Sequence, residues 1–161
     1  MIYRLDGDSG EGEVYAMDQL LGDDFNVGLA LNGIAVTPDE GYLIVGEVVP
    51  GRLYRVSLSD SSDIMQIALT GDDMVFADGL VFSGDDLYVM GIVTGASRVL
   101  FDTDFSSGNV VQRDQIPQIT NATLAEGNVY VIKSEILKAG TTNPPELPFE
   151  IFRLDTAAYD E

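Results

Sequence analysis

Short apolar runs alternate with acidic or glycine-containing turns along most of the chain. Three segments share this pattern most closely: NGIAVTPDEGYLIVGE (Asn32 to Glu47), ADGLVFSGDDLYVMG (Ala77 to Gly91) and TNATLAEGNVYVIKS (Thr120 to Ser134). In each segment an apolar strand leads through a turn into a second strand rich in β-branched and aromatic residues. The turns PDEG, SGDD and AEGN supply residues that tolerate positive φ, as hairpin turns require. The pattern therefore predicts three β-hairpins.

A second set of repeats predicts further strands around these hairpins. The repeats are IYRLD (Ile2 to Asp6), LYRVS (Leu53 to Ser57), RVLFD (Arg98 to Asp102) and IFRLD (Ile151 to Asp155). A fourth strand follows the third in each complete unit, as DIMQIALT follows GRLYRVSLSD. Each unit then has four antiparallel strands over roughly 40–50 residues, which is the period of a propeller blade.

These repeats predict an all-β partial β-propeller with about three to three and a half four-stranded blades, half of a six-bladed ring. The predicted single domain, 1–161, divides into an incomplete first blade 1–22 and blades 32–72, 78–117 and 119–161. Alternation along the innermost strands predicts that four side chains are buried between blades, namely Ile34, Val36, Leu80 and Phe82. The stretch Met17 to Leu31 is either a loop or holds one helical turn.

An open set of blades leaves apolar faces in water. The sequence therefore predicts a missing propeller half or a second copy in a homodimer as the partner. A fragment of a longer protein, a dimerising half-ring and a truncated gene product remain open alternatives.

Composition excludes several kinds of chemistry. The 161 residues include 27 acids and 8 bases, which gives a net charge of −19. This charge repels phosphate groups and disfavours nucleic acid and anionic lipid as partners. The absence of cysteine and histidine removes disulfides, Ser-His-Asp triads, haem ligation and Cys/His zinc sites. Carboxylates, amides, hydroxyls or an oxygen-bound metal must carry any chemistry.

The three hairpin segments, taken in order with FDTDFSSGNVV and PPELPFEIFRLD, resemble the senescence marker protein / gluconolactonase family. The resemblance is closest to secreted members from bacteria and fungi, covers almost the whole chain, and matches the C-terminal half of a six-bladed propeller. It implies a hydrolase of lactones or related esters that depends on Ca²⁺ or another divalent cation. It also implies an extracellular protein; the N-terminus has no signal-peptide pattern, and a cytoplasmic location is the alternative.

Two residues are the main site candidates. Asn32 and Asp78 start the innermost strands of their blades, where side-chain oxygens point to one rim of the channel and suit a hard cation such as Ca²⁺. By the resemblance, both match metal ligands of the family, and Asp78 also matches its proposed catalytic base. The family's other acidic ligand and a second asparagine lie in the half that this chain lacks. The alternative is that Asn-Gly and Asp-Gly are turns whose side chains cap backbone groups.

Three further residues are candidates for the channel rim or the substrate site. Thr120 takes the place of Asp78 in the last hairpin, and a turn shorter by one residue gives Asn121 instead. Either contacts a channel ligand or satisfies local backbone groups. Glu47 ends a second strand and either reaches the rim near Asn32 or is a solvated loop carboxylate. The proline-containing link from Glu135 to Glu150 is either a lid over the channel or a surface loop.

Two function classes follow. The first is a cation-dependent lactone or ester hydrolase, active or decayed, in which a carboxylate or metal-bound water handles the proton. The second is a non-catalytic propeller segment that serves as a binding or scaffold module with vestigial channel residues.

Overall fold

The computed structural model describes residues 1–21, 31–114 and 116–160, and these form an all-β structure without an α-helix. The strands in chain order are β1 (Ile2–Leu5), β2 (Gly12–Ala16), β3 (Leu31–Val36), β4 (Tyr42–Glu47), β5 (Leu53–Ser57), β6 (Ile64–Gln66), β7 (Ala68–Gly71), β8 (Ala77–Ser83), β9 (Asp86–Gly91), β10 (Gly95–Phe101), β11 (Ser107–Asp114), β12 (Ile119–Ala125), β13 (Asn128–Lys133) and β14 (Glu150–Arg153). Short 3-10 turns lie at Gln19–Leu21, Ile136–Lys138 and Thr156–Tyr159. The described residues contain no helix of the length and apolarity needed to cross a membrane. The all-β prediction is confirmed.

Four separate sheets contain these strands, and none of them closes on itself. Sheet 1 is β1-β2, sheet 2 has the order β3-β4-β5-β6, sheet 3 has the order β8-β9-β10-β11-β7, and sheet 4 is β12-β13-β14. The three hairpins expected from the turn sequences form as β3-β4, β8-β9 and β12-β13. For the stretch Met17 to Leu31 the sequence predicts a loop or one helical turn. The stretch contains the short 3-10 turn Gln19–Leu21, and 22–30 lie outside the described residues.

The sheets pack against one another in chain order, with one apolar core between each pair. Ala16 of sheet 1 packs on Val45 and Val56 of sheet 2. Between sheets 2 and 3 the core contains Ile44, Leu53, Leu80, Leu87, Val89 and Val99. Between sheets 3 and 4 it contains Tyr88, Met90, Ile119, Val129, Val131 and Leu154. Along one side of this stack, β8 contacts β3 on one flank and β12 on the other. Each of the three is an edge strand of its sheet, and we call these neighbouring edge strands the innermost strands.

The strand predicted to complete the unit of sheet 2 divides between two sheets. β6 pairs with β5 in an antiparallel manner, whereas β7 pairs in parallel with β11 of sheet 3. Ile67 lies between the two strands and is 1% exposed, within the core of sheets 2 and 3. The chain passes from sheet 2 to sheet 3 at the buried Ile67. Sheet 3 therefore has a fifth, parallel strand, whereas the sequence predicts four antiparallel strands. This strand covers the outer edge of β11.

The predicted burial of Ile34 and Val36 is wrong, since they are 48% and 49% exposed. Leu80 is buried as predicted, and Phe82 is half-buried against the same core. Ile34 pairs with Val45, and paired residues share one face of a sheet. That face turns toward sheet 1. Sheet 1 has only two described strands, which cover Val45 but leave β3 open.

Backbone hydrogen bonds join the sheets at the edge where the innermost strands begin. The Phe76 amide donates to the Val48 carbonyl at 2.7 Å, and the Gln118 amide donates to the Ile92 carbonyl at 2.7 Å. Within sheets 3 and 4, the Ile92 amide donates to Phe76 and the Ser134 amide donates to Gln118. We call this series from Val48 to Ser134 the cross-sheet hydrogen-bond chain. It fixes the starting ends of β8 and β12 against the preceding sheet.

Candidate functional site

Each innermost strand carries a β-bulge near its first residue. The pairing with the next strand shifts between Leu31 and Ile34 in β3, between Ala77 and Leu80 in β8, and between Ile119 and Asn121 in β12. A bulge changes the direction of a side chain and often lies beside a functional site. The three bulges contain Asn32, Asp78 and Thr120. The register thus puts Thr120, and not Asn121, at the position equivalent to Asp78.

Asn32 and Asp78 lie side by side where β3 meets β8. A Cβ atom at Gly33 would lie 2.1 Å from the Asp78 carbonyl oxygen, so only glycine allows this approach. The Asn32 side chain lies close enough to the Asp78 carboxylate to favour its ionised form. Burial raises the pKa of Asp78 above its ordinary value of 3.8, and the interaction with Asn32 partly opposes this rise. The pair is therefore a partly desolvated carboxyl group beside an amide.

Thr120 and Asn121 lie on the other flank of β8. A Cβ atom at Gly79 would lie 2.7 Å from the Asn121 Cα and 2.8 Å from the Thr120 carbonyl oxygen. The Asn121 side chain is exposed, and its Oδ1 accepts a hydrogen bond from the Ala122 amide at 2.8 Å. Thr120 is half-buried. The backbones of both residues thus lie beside the Asp78-Gly79 bulge, and Asn121 also satisfies a local backbone group.

Glu47 is buried, with 3% of the residue exposed, so its interpretation as a solvated loop carboxylate is wrong. It pairs with Leu31, the residue before Asn32, and therefore lies at the starting edge of β3. The Tyr54 hydroxyl donates to Glu47 Oε2 at 2.9 Å, and Arg52 Nη1 lies 3.5 Å from the same oxygen. Burial, followed by the bond to Glu47, raises the pKa of Tyr54.

Tyr54 and Arg52 were not expected near the site from the sequence. The sequence indicates this contact only weakly. Glu47 follows four mainly apolar residues, and Arg52 and Tyr54 come five and seven residues after it. The contact depends on how the link from β4 to β5 folds back over Glu47. The arrangement anchors this link and engages the Glu47 carboxylate within sheet 2.

Asn32 and Asp78 alone offer fewer oxygen ligands than calcium needs. Calcium takes six to eight oxygen ligands, with carboxylates supplying most of the negative charge. Asp78 offers one carboxylate, and the Asn32 side chain is engaged with it. Across 1–21, 31–114 and 116–160, no three acidic side chains come together in a group that could hold a metal ion. The described residues of one chain therefore do not fit a complete calcium site.

The link between β13 and β14 starts at the same edge as the site residues. Ser134 joins the cross-sheet hydrogen-bond chain, and the link then holds only the 3-10 turn Ile136–Lys138 before β14. The Glu135 carboxylate accepts hydrogen bonds from the Glu146 amide at 2.7 Å and from Lys138 Nζ at 2.9 Å. These bonds lower the pKa of Glu135. The absence of a strand in this link agrees with its proline-rich sequence, and its role as a lid stays a prediction.

Comparison with known proteins adds no family to this description. No protein-family model matches the chain, and no curated protein matches it. The resemblance to the senescence marker protein / gluconolactonase family is carried by the sequence motifs alone.

Proposed function

We propose that sheets 2, 3 and 4 are blades and sheet 1 an incomplete blade of a partial β-propeller, about half of a six-bladed ring. Three observations support this architecture: the sheets pack in chain order, their innermost strands are neighbours, and β7 passes from one sheet to the outer edge of the next. A radial array of four-stranded sheets with innermost strands around a channel has these properties. Asn32, Asp78 and Thr120 then lie on one rim of the channel.

The function that this rim supports best is hydrolysis of a lactone or related ester, in a ring completed by further blades. The observation that carries the proposal is the half-buried Asp78 carboxyl in the β8 bulge, packed against Asn32-Gly33 of β3, where burial raises its pKa. A general base works best when its pKa is near the working pH. Asp78 takes a proton from water as the water oxygen bonds to the carbonyl carbon. When the carbon–oxygen ester bond breaks, the departing oxygen receives this proton.

Calcium or another divalent cation is the cofactor that the sequence resemblance implies. Asn32 and Asp78 are the oxygen ligands that this chain offers, and the remaining carboxylates must come from a missing propeller half or a second copy. Thr120 and Asn121 are positioned to contact a ligand on the far flank of β8. An extracellular location follows from the resemblance, with the cytoplasm as the alternative, and the net charge of −19 disfavours nucleic acid as a partner.

A non-catalytic binding or scaffold module is the second candidate. The observation that favours it is that both rim carboxylates are engaged inside the chain. Asp78 interacts with the Asn32 side chain, and Glu47 is held by Tyr54 and Arg52. In such a module these side chains stabilise the bulges and links of the sheets and have no substrate.

Lactone hydrolysis measured with and without calcium separates the two candidates. With calcium present and the ring completed, we expect the wild type to hydrolyse a simple lactone and Asp78→Asn to lose about 100-fold or more in rate, as loss of a general base does. Asp85→Asn, in the turn of the same hairpin, is the matched control and should keep the wild-type rate. No hydrolysis by the wild type supports the scaffold module, and equal rates for wild type and Asp78→Asn exclude Asp78 as the base.

A further inference from the structure

An apolar face is exposed at each end of the stack of sheets. At the first end, side chains of β1, β2 and β3 are about half to three-quarters exposed: Tyr3 66%, Leu5 73%, Val14 49%, Ile34 48% and Val36 49%. At the other end, Phe152 packs into the core between sheets 3 and 4, so its neighbours Ile151 and Arg153 face outward. Ile151 is 70% exposed beside Thr123, Tyr130 and Ile132, which line the same shallow groove. We call these surfaces the first face and the last face.

Two arginines on third strands, in sheets 2 and 3, pair with acidic residues outside their own sheets, whereas Arg4 of sheet 1 pairs with Glu13 of the same sheet. Arg55, on the third strand of sheet 2, donates to the carbonyl of Asp104 in the β10–β11 turn of sheet 3, and its Nη1 lies 3.8 Å from Asp104 Oδ2. Arg98, at the same position on β10, pairs with Asp86 of its own sheet at 2.7 Å and with Asp160 of the C-terminal segment, with 2.5 Å between Nη1 and Oδ1. Both arginine side chains are only 14% exposed. In both repeats an arginine on a third strand thus pairs with an acidic residue that lies later in the chain, in the β10–β11 turn for Arg55 and in the C-terminal segment for Arg98.

Arg153 is the matching arginine on β14. It is exposed and makes no ion pair with the residues that the structure describes. By analogy with the Arg55–Asp104 contact, an acidic turn on the sheet that covers the last face would pair with Arg153. The β1–β2 turn of sheet 1 has this character and also joins a third strand to a fourth, with exposed Asp8 and Glu11. The last face and the first face are therefore complementary in charge as well as in apolar surface.

The number of innermost strands favours two copies. One chain provides three, β3, β8 and β12, and two chains provide six, which lies within the roughly four to eight blades of propellers. Three copies would provide nine. Two copies related by a twofold axis cover both faces of both chains, since the last face of each meets the first face of the other.

We infer that a second copy of this chain covers the apolar faces, with the last face of one copy against β1, β2 and β3 of the other. Arg153 then pairs with the acidic β1–β2 turn, and Ile151 packs near Ile34 and Val36. This inference rests on the propeller arrangement proposed above but not on the hydrolase activity. The interface continues the sheet-to-sheet packing already present between sheets 2, 3 and 4.

The solution mass of the whole chain tests this inference. We expect twice the 17.4 kDa of one chain by light scattering or sedimentation equilibrium. Ile34→Asp and Arg153→Glu should each raise the dissociation constant of the dimer at least about tenfold. Val93→Asp, which changes a 55% exposed side chain on the link between β9 and β10, is the matched control and should leave the mass unchanged.

A charge swap keeps the test independent of folding. Asp8→Arg combined with Arg153→Glu should restore the dimer that Arg153→Glu weakens, and circular dichroism should show the same β content in all variants. A wild type that is monomeric at every concentration overturns the inference and points to further blades of a longer chain. A dimer unaffected by both single variants overturns the proposed faces. Neither result depends on lactone hydrolysis, so failure here is distinguishable from failure of the proposed activity.

Discussion

Two strands with nearly the same sequence have opposite environments in this molecule. On β5, in the middle of the stack, Leu53, Tyr54 and Val56 are at most 1% exposed. On β1, at the first end, the matching Tyr3 and Leu5 are 66% and 73% exposed. The difference comes from the neighbours, because β5 has a sheet on both faces and β1 has a sheet on one. Burial in a repeat structure is thus set by the stack and not by the strand.

The innermost strands also show that burial depends on the neighbouring sheets. Leu80 on β8 and Ile34 on β3 follow equivalent bulges, yet they are 8% and 48% exposed. Leu80 lies against sheet 2, whereas Ile34 faces the opening beside sheet 1. The contrast between the middle and the ends of the stack can be tested by paired substitutions.

The largest expected difference in the free energy of unfolding is between alanine substitutions of two leucines, Leu53 and Leu5. Leu53→Ala should lower the free energy of unfolding by about 2–5 kcal/mol, because it leaves a cavity in the core between sheets 2 and 3. Leu5→Ala should change it by less than about 0.5 kcal/mol in the monomer. Urea unfolding of both variants measures the difference. A cost at Leu5 that grows with protein concentration would show that a second copy covers β1, and equal costs at low concentration would contradict the comparison.

The next largest difference in stability is expected between alanine substitutions of two glycines, Gly33 and Gly7. Gly33→Ala should cost about 1–3 kcal/mol, because its Cβ would lie 2.1 Å from the Asp78 carbonyl oxygen and push β3 from β8. Gly7→Ala, in the β1–β2 turn, has no atom within 4 Å of the added Cβ and should cost nothing measurable. Thermal unfolding of the two variants checks this. A tolerated Gly33→Ala would mean that β3 and β8 separate easily.

Two tyrosine hydroxyls are expected to differ by a smaller amount. Tyr54→Phe removes the 2.9 Å hydrogen bond to the buried Glu47 carboxylate and should cost about 1–3 kcal/mol. Tyr15→Phe, on β2, removes only long contacts of 3.3 and 3.4 Å to carbonyl oxygens of sheet 2. Its cost should stay below about 0.5 kcal/mol. Similar costs in chemical unfolding would indicate that the Glu47 cluster adds no stability.

The smallest effects concern pH and have opposite signs in the two regions. The folded pKa of Asp78 is raised above 3.8, so ionisation of Asp78 reduces stability as pH rises through that folded value. Asp78→Asn should therefore raise Tm at neutral pH, with no difference below about pH 3.8. The folded pKa of Glu135 lies below its ordinary 4.5, so its stabilisation is present at neutral pH and is lost as pH falls through the folded value.

Glu135→Gln should accordingly lower Tm at neutral pH and match the wild type in strong acid. Melting curves of both variants across pH 2–8 give the comparison, and each variant serves as the control for the other. If the two substitutions changed Tm at neutral pH in the same direction, the opposite pKa shifts of Asp78 and Glu135 would be contradicted.

Local features were predictable from the sequence, and features that depend on distant neighbours were not. The three hairpins follow from turn residues within a few positions of one another, and the equivalence of Asn32 and Asp78 follows from counting along them. The exposure of Ile34 depends on a sheet that would have to lie on its other side. The passage of β7 to sheet 3 and the burial of Glu47 under Tyr54 also depend on packing between distant segments. No local pattern contains that information.

The cross-sheet hydrogen-bond chain has a consequence for how such repeats diverge. Its donors and acceptors are all backbone groups, from Val48 through Phe76 and Ile92 to Gln118 and Ser134. Residues as different as phenylalanine and glutamine occupy the same left-handed position, with φ of 62° and 64°. Mutation can therefore replace the side chains at these joints without removing the bonds. Repeated units can thus stay joined although their sequences differ, and NG, DG and TN begin three strands with the same bulge.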